Sequence, residues 1–162
     1  MKRSILITLL CLLSITAFGQ KYEFYQTKNY HNQLRLDTMT GEVAQIQDDG
    51  QMWIIALDVE EYGNKSGRFR LYETKNIWNY IELDTFTGRL WQIQFSVEGV
   101  DYMLSIPINK VKLANYNYSA FTIQPLVSMY QYYLINQETG AMWKFQWSTD
   151  DDDDYRWIER FK

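Results

Sequence analysis

Cysteine, histidine and proline are nearly absent from this 162-residue chain, which has one, one and two of them, and glycine is limited to eight. With Cys11 as the only cysteine, no disulfide can form within the chain, so packing and sheet hydrogen bonds have to supply its stability. His31 and Cys11 together fall short of the nitrogen and sulfur ligands that a zinc or copper site takes, which excludes a transition-metal centre. No Ser or Cys nucleophile pattern accompanies the lone His31. No apolar run approaches the roughly 20 residues that a membrane-crossing helix needs. Basic residues are outnumbered by acidic ones, 16 to 20. Nucleic acid and anionic membrane surfaces, which are held through Lys and Arg, are therefore disfavoured as partners.

What is present points first to export. Residues 1–19 carry Lys2 and Arg3, then an apolar run over residues 5–13, then the small-residue pair Ala17-x-Gly19. That is the pattern of a secretory signal peptide cut before Gln20. Cys11 follows Leu10 rather than the small residue of a lipoprotein cleavage box, so a soluble periplasmic or extracellular product is expected, without stable membrane insertion. Cleavage would leave residues 20–162 as one domain, with 14 basic against 20 acidic residues and a formal charge of −6. Aromatics make up 17% of the chain, tyrosine foremost, a composition of strands rather than of disorder.

The chain then repeats itself. Leu36-Asp37-Thr38-Met39-Thr40-Gly41, Leu83-Asp84-Thr85-Phe86-Thr87-Gly88 and Ile135-Asn136-Gln137-Glu138-Thr139-Gly140 align at offsets of 47 and 52 residues. The first offset also lays Thr27-Lys28-Asn29 on Thr74-Lys75-Asn76. Three units follow, at about 22–68, 69–120 and 121–162. Each reads as four short antiparallel strands, over 69–74, 77–84, 89–95 and 102–106 in the middle unit, with fourth strands over 53–57 and 155–161 in the others. Asp or Asn opens the central turn because its side chain can bond amides two residues on, and Gly closes it at the positive-φ position. Trp91 and Trp143 occupy one step of the returning strand, where an aromatic would pack on the neighbouring unit, and Ala44 is the exception. Trp78 and Tyr80 on one face of the second strand, opposite Ile81 and Leu83, make both faces buried. Pro125 belongs on an edge strand. The expected fold is all-β, with three tandem four-stranded units in a propeller-like arrangement; a β-trefoil is the alternative.

Asp84-Thr85-Phe86-Thr87-Gly88-Arg89-Leu90-Trp91 resembles the repeat of short secreted proteins of Bacteroidetes-type bacteria built on Asp-Thr-x-Thr-Gly-Arg-x-Trp. It is similar, more weakly, to the repeat of quinoprotein-type β-propellers, which carry an Asp-x-x-Thr-Gly turn followed by Trp, although Trp91 and Trp143 stand one step earlier than in that family. The resemblance implies repeat architecture and export. It implies neither a cofactor nor a catalytic residue.

Candidate sites divide accordingly. His31 aligns with Trp78 and Tyr130 and so fills an aromatic slot. Asp37, Asp84 and Asn136 are turn formers, and the loss of charge at Asn136 argues against a repeated catalytic carboxylate, leaving a glycosidase-like enzyme as the third reading. The acidic run offers Asp150, Asp152 and Asp154 as a weak calcium candidate; a solvated hairpin tip is the plainer reading. Asn64 and Asn117 open glycosylation-type triplets that a bacterial leader renders coincidental. Trp78, Tyr130, and Tyr116 with Tyr118 in the connection between units two and three are the candidate ligand-binding residues, since rings of this kind stack on the apolar faces of sugars. The expectation is an exported non-catalytic binding module, for a glycan or similar extracellular ligand. The alternative is a cell-envelope interaction or assembly protein that binds another protein or its own copies.

Overall fold

The computed structural model describes residues 20–56, 65–109, 111–150 and 153–162. The expected signal peptide, Asn64 and Asp152 lie outside the described residues. Among the described residues twelve strands run in chain order: β1 Tyr22–Gln26, β2 Asn32–Asp37, β3 Val43–Gln47, β4 Met52–Ala56, β5 Phe69–Glu73, β6 Asn79–Asp84, β7 Leu90–Gln94, β8 Leu104–Pro107, β9 Phe121–Pro125, β10 Gln131–Asn136, β11 Met142–Gln146 and β12 Trp157–Arg160. They form three four-stranded sheets, each a simple antiparallel meander of four consecutive strands. Among the described residues no sheet borrows a strand from another unit. That is how propeller blades are built, whereas a trefoil would interlace its units. Pro125 sits on the edge strand β9, as its missing amide requires.

Two boundaries differ from the sequence reading. Ile77 and Trp78 lie in the β5–β6 turn, not in β6, because the Asn76 carboxamide oxygen accepts the Trp78 amide at 2.8 Å and bends the chain there. Tyr102 and Tyr155 end short 3-10 turns that precede β8 and β12.

The repeated turn has the same geometry three times. Asp37, Asp84 and Asn136 each accept, through a side-chain oxygen, the amide two residues on, at 2.9, 3.0 and 3.0 Å. Their carbonyls accept the amides of Gly41, Gly88 and Gly140, whose φ angles are 83°, 74° and 69°. A second reason for glycine appears only in three dimensions. A Cβ on Gly41 would lie 2.9 Å from the Phe69 ring, and one on Gly88 would lie 3.0 Å from the Phe121 ring, so each turn is pressed against the first strand of the next unit.

The sheets pack face to face. Leu34, Leu36, Val43 and Ala56 of the first meet Phe69, Leu71, Tyr80, Ile93 and Phe95 of the second unit. Ile81, Leu83, Leu90 and Ile108 meet Phe121, Ile123, Tyr132, Leu134, Phe145 and Trp147 of the third. Each large apolar side chain fully buried here contributes about 1.5–3 kcal/mol. Trp91 and Trp143 stand at the two junctions, packed against these clusters, each with its ring near the opening phenylalanine of its own sheet, 6.5 Å from Phe69 and 6.1 Å from Phe121. All six residues of β6 are buried, since the middle sheet is covered on both sides.

Polar contacts recur at the two junctions, with Arg156 rather than Gln92 donating to the Ser148 carbonyl at the second. Thr38 and Thr85 carbonyls accept the amides of Phe69 and Phe121, both at 2.9 Å. Gln45 donates to the Ser96 carbonyl at 2.7 Å and accepts the Ser96 amide at 3.2 Å; one unit on, Gln92 accepts the Ser148 amide at 3.4 Å. Lys28 and Lys75 ammonium groups cap the Thr74 and Val127 carbonyls at 3.2 and 2.6 Å.

Candidate functional site

The β5–β6 turn builds one wall of an open cleft. Thr74 Oγ1 donates to the carbonyls of Asn76 and Asn79, at 2.9 and 2.7 Å, while Asn76 Oδ1 accepts from Asn79 Nδ2 at 3.2 Å. This network fixes Trp78 at the rim of the middle sheet, its ring tilted on Phe95 at 5.4 Å. Around it lies a cleft of about 260 Å³, lined by Asn76, Trp78, Asn79, Gln94, Phe95, Glu98, Tyr102 and Thr149 among others. Trp78 is half-buried and Tyr102 is 54% exposed. Gln94 is oriented by donating to the Tyr102 carbonyl at 3.0 Å. The cleft thus pairs two aromatic surfaces with amides and one carboxylate.

The same rim position recurs, altered, in the other units. In the first, His31 Nδ1 lies 2.6 Å from Asp48 Oδ2 and the ring is tilted against Tyr30 at 4.0 Å, beside a smaller cavity of about 180 Å³. In the third, Tyr130 rests on Trp147 at 5.1 Å, where the larger indole takes the place of Phe95. Trp78, Tyr130 and His31 are therefore cognates in space as in sequence.

Tyr116 and Tyr118 lie elsewhere. Their rings are 5.3 Å apart; Tyr116 is half-buried against Phe121 and accepts Asn136 Nδ2 at 3.3 Å, whereas Tyr118 is 45% exposed. Tyr116 lines a mainly apolar cavity of about 190 Å³ with Lys65, Arg68, Phe86, Thr87, Asn115 and Asn117. Trp78 precedes β6 and Phe86 follows it, so the length of that strand, roughly 20 Å for six residues, separates the two rims. The four candidate residues do not form one site.

The acidic run is described in part. Asp150 and Asp154 are exposed, and the Asp150 carbonyl accepts from Arg156 at 2.7 Å. Among the described residues no group of three or more His, Cys, Asp or Glu is arranged to hold a metal ion.

Glu82 escaped the sequence reading. It is fully buried on the face of β6 turned to the first sheet, and neither carboxylate oxygen has a hydrogen-bond partner among the described residues. Burial first, then the nearby Asp84 charge, pushes its pKa well above 4.5, and Arg89 only partly opposes this. Asp84 itself is clamped by Arg68, with Nε to Oδ1 at 3.0 Å and Nη2 to Oδ2 at 2.7 Å, both side chains buried. The only signal of Glu82 in the sequence is its alternation with Tyr80 and Asp84.

Comparison with family models, with curated proteins and with solved structures finds no match to this chain.

Proposed function

We propose that the chain is an exported, non-catalytic binding module that takes a carbohydrate at the Trp78 cleft. The observation that carries this reading is the combination, in one cleft of about 260 Å³, of the half-buried Trp78 ring and exposed Tyr102 with Asn76, Asn79, Gln94 and Glu98. A pyranose offers an apolar face to a ring and hydroxyls to amides and carboxylates, and this cleft supplies both kinds of partner. Its volume is near the lower bound of ligand pockets, about 300 Å³, which suits one sugar ring of a longer glycan. The Thr74 and Asn76 network holds the aromatic wall in place before any ligand arrives, which lowers the ordering cost of binding. Export is supported by the leader-like segment of residues 1–19.

The test is a glycan array followed by calorimetric titration of the best hit. Trp78→Ala and Tyr102→Ala should each weaken binding by about tenfold or more, the loss of one stacking platform, and Glu98→Gln should change selectivity among hydroxyl patterns. Tyr102 and Glu98 are exposed, so those two variants keep the wild-type melting midpoint. Binding abolished by Tyr116→Ala with Tyr118→Ala, but not by the cleft variants, would move the site to the other rim. No glycan bound at any concentration would overturn the reading.

A further inference from the structure

The two junctions inside the molecule follow one contact rule, and the two outer faces carry the unfilled halves of it. On the first sheet, Tyr22 stands where Phe69 and Phe121 stand at the junctions, and Phe24 where Leu71 does; Phe24 is 62% exposed and Leu71 is 5% exposed. Met52 and Ile54 extend this outer face, each 49% exposed. On the outer face of the third sheet, Tyr133, Ile135 and Met142 occupy the positions of the fully buried Ile81, Leu83 and Leu90 but are only half-buried. Gly140 keeps its left-handed φ of 69°, yet nothing among the described residues lies within 4 Å of the space where a ring meets Gly41 and Gly88. The amide clasp is replaced by charge. Lys144 stands at the position of Gln45 and Gln92, and Asp49 at the position of Ser96 and Ser148.

We propose that a second copy of this chain docks head to tail, the outer face of its first sheet on the outer face of the third sheet here, with Asp49 of one copy set against Lys144 of the other. The faces are apolar at Tyr22, Phe24, Ile46, Met52 and Ile54 on the first sheet and at Tyr133, Ile135 and Met142 on the third, while Gln33, Arg35 and Asp48 stand where Tyr132, Leu134 and Trp147 stand inside the molecule; the new ion pair takes the place where an internal junction uses a neutral clasp. Tyr22 of the incoming copy then covers Gly140 as Phe69 covers Gly41. The contact is heterologous, since different faces meet. Opposite charges at cognate positions select this orientation over pairing of two like faces, where Asp49 would meet Asp49 or Lys144 would meet Lys144.

The experiment is sedimentation equilibrium of the purified protein over a concentration series, for the wild type, Lys144→Asp, Asp49→Lys, and an equimolar mixture of the two variants. The wild type should exceed the mass of one chain as concentration rises. Each reversal alone should weaken association by about tenfold or more, because like charges then face each other. The mixture should regain wild-type association, since every contact between unlike variants pairs opposite charges again. Thermal melts of the unassociated species should stay at one midpoint, as both positions are on the surface. A wild type that remains monomeric throughout, an effect of only one reversal, an effect of neither, or a mixture that stays dissociated would each overturn the proposal.

Discussion

Replacing Glu82 by Gln should stabilise the protein by an amount that grows with pH. The carboxyl is fully buried without a hydrogen-bond partner, with its pKa raised by burial first and by Asp84 second. In the unfolded chain it titrates near the ordinary value of 4.5. Below that pH both states hold the proton and the group adds no pH dependence. Above it the unfolded chain releases the proton while the folded chain keeps it, so stability falls as pH rises, by about 1.4 kcal/mol per unit, until the folded pKa is passed. Gln is neutral throughout and close in shape, so that slope vanishes. In a chain of this size about 1 kcal/mol moves the melting midpoint by roughly 3 °C, so the gap between variant and wild type should widen by about 4 °C per pH unit. Paired melts at pH 4, 5, 6 and 7 measure it directly, because groups common to both proteins cancel in the difference. The two midpoints should nearly coincide at pH 4. A gap that is flat across the series, or one in which the wild type gains on the variant as pH rises, would show that Glu82 is ionised and paired, and the reasoning would fail.

Two further perturbations probe the junctions. Asp84→Asn should cost about 3–5 kcal/mol by urea denaturation, because it removes the carboxylate that pairs with the buried Arg68 guanidinium. Arg68→Met combined with Asp84→Asn should recover most of that loss, since the third unit already manages with Ala120 and Asn136 at these positions; equal losses in single and double variants would mean the pair is not the issue. Gly140→Ala should cost only the left-handed backbone penalty, about 1–2 kcal/mol, when measured on the dissociated protein. Gly88→Ala should cost about 1–3 kcal/mol more, for the collision with Phe121, and equal costs would contradict the close approach.

The central turn was legible because its chemistry is local: Asp37, Asp84 and Asn136 bond amides two residues away, and Gly41, Gly88 and Gly140 take the conformation that follows. Repetition of that turn at offsets of 47 and 52 residues carried the three-sheet architecture with it. Trp91 and Trp143 fall at the junctions for the same reason, since they keep a fixed step from the turn, although the rings they meet are Phe69 and Phe121 of their own sheets. Trp78 was misassigned to a strand because its alternation with Tyr80 mimics one, while the Asn76 side chain that removes it from the ladder leaves no trace in a hydrophobic pattern. The Gln45 and Ser96 clasp joins residues 51 positions apart, with no spacing rule to announce it. Glu82 was missed because a carboxylate on a strand ordinarily marks a wet face. The separation of Trp78 from Tyr116 depends on strand direction, which composition does not encode.

The unequal cover of the three sheets bears on how the molecule opens. Each meander closes through hairpins of short sequence separation, so a sheet can form early on its own segment, but only the middle one then gains two partners. Free energy for local opening should therefore be graded along the stack, with β6 amides exchanging with solvent last and the outer strands β1 and β12 fraying first. A ligand held at the Trp78 rim touches the slowest-exchanging sheet. The faces offered to a second copy belong to the two sheets that breathe most.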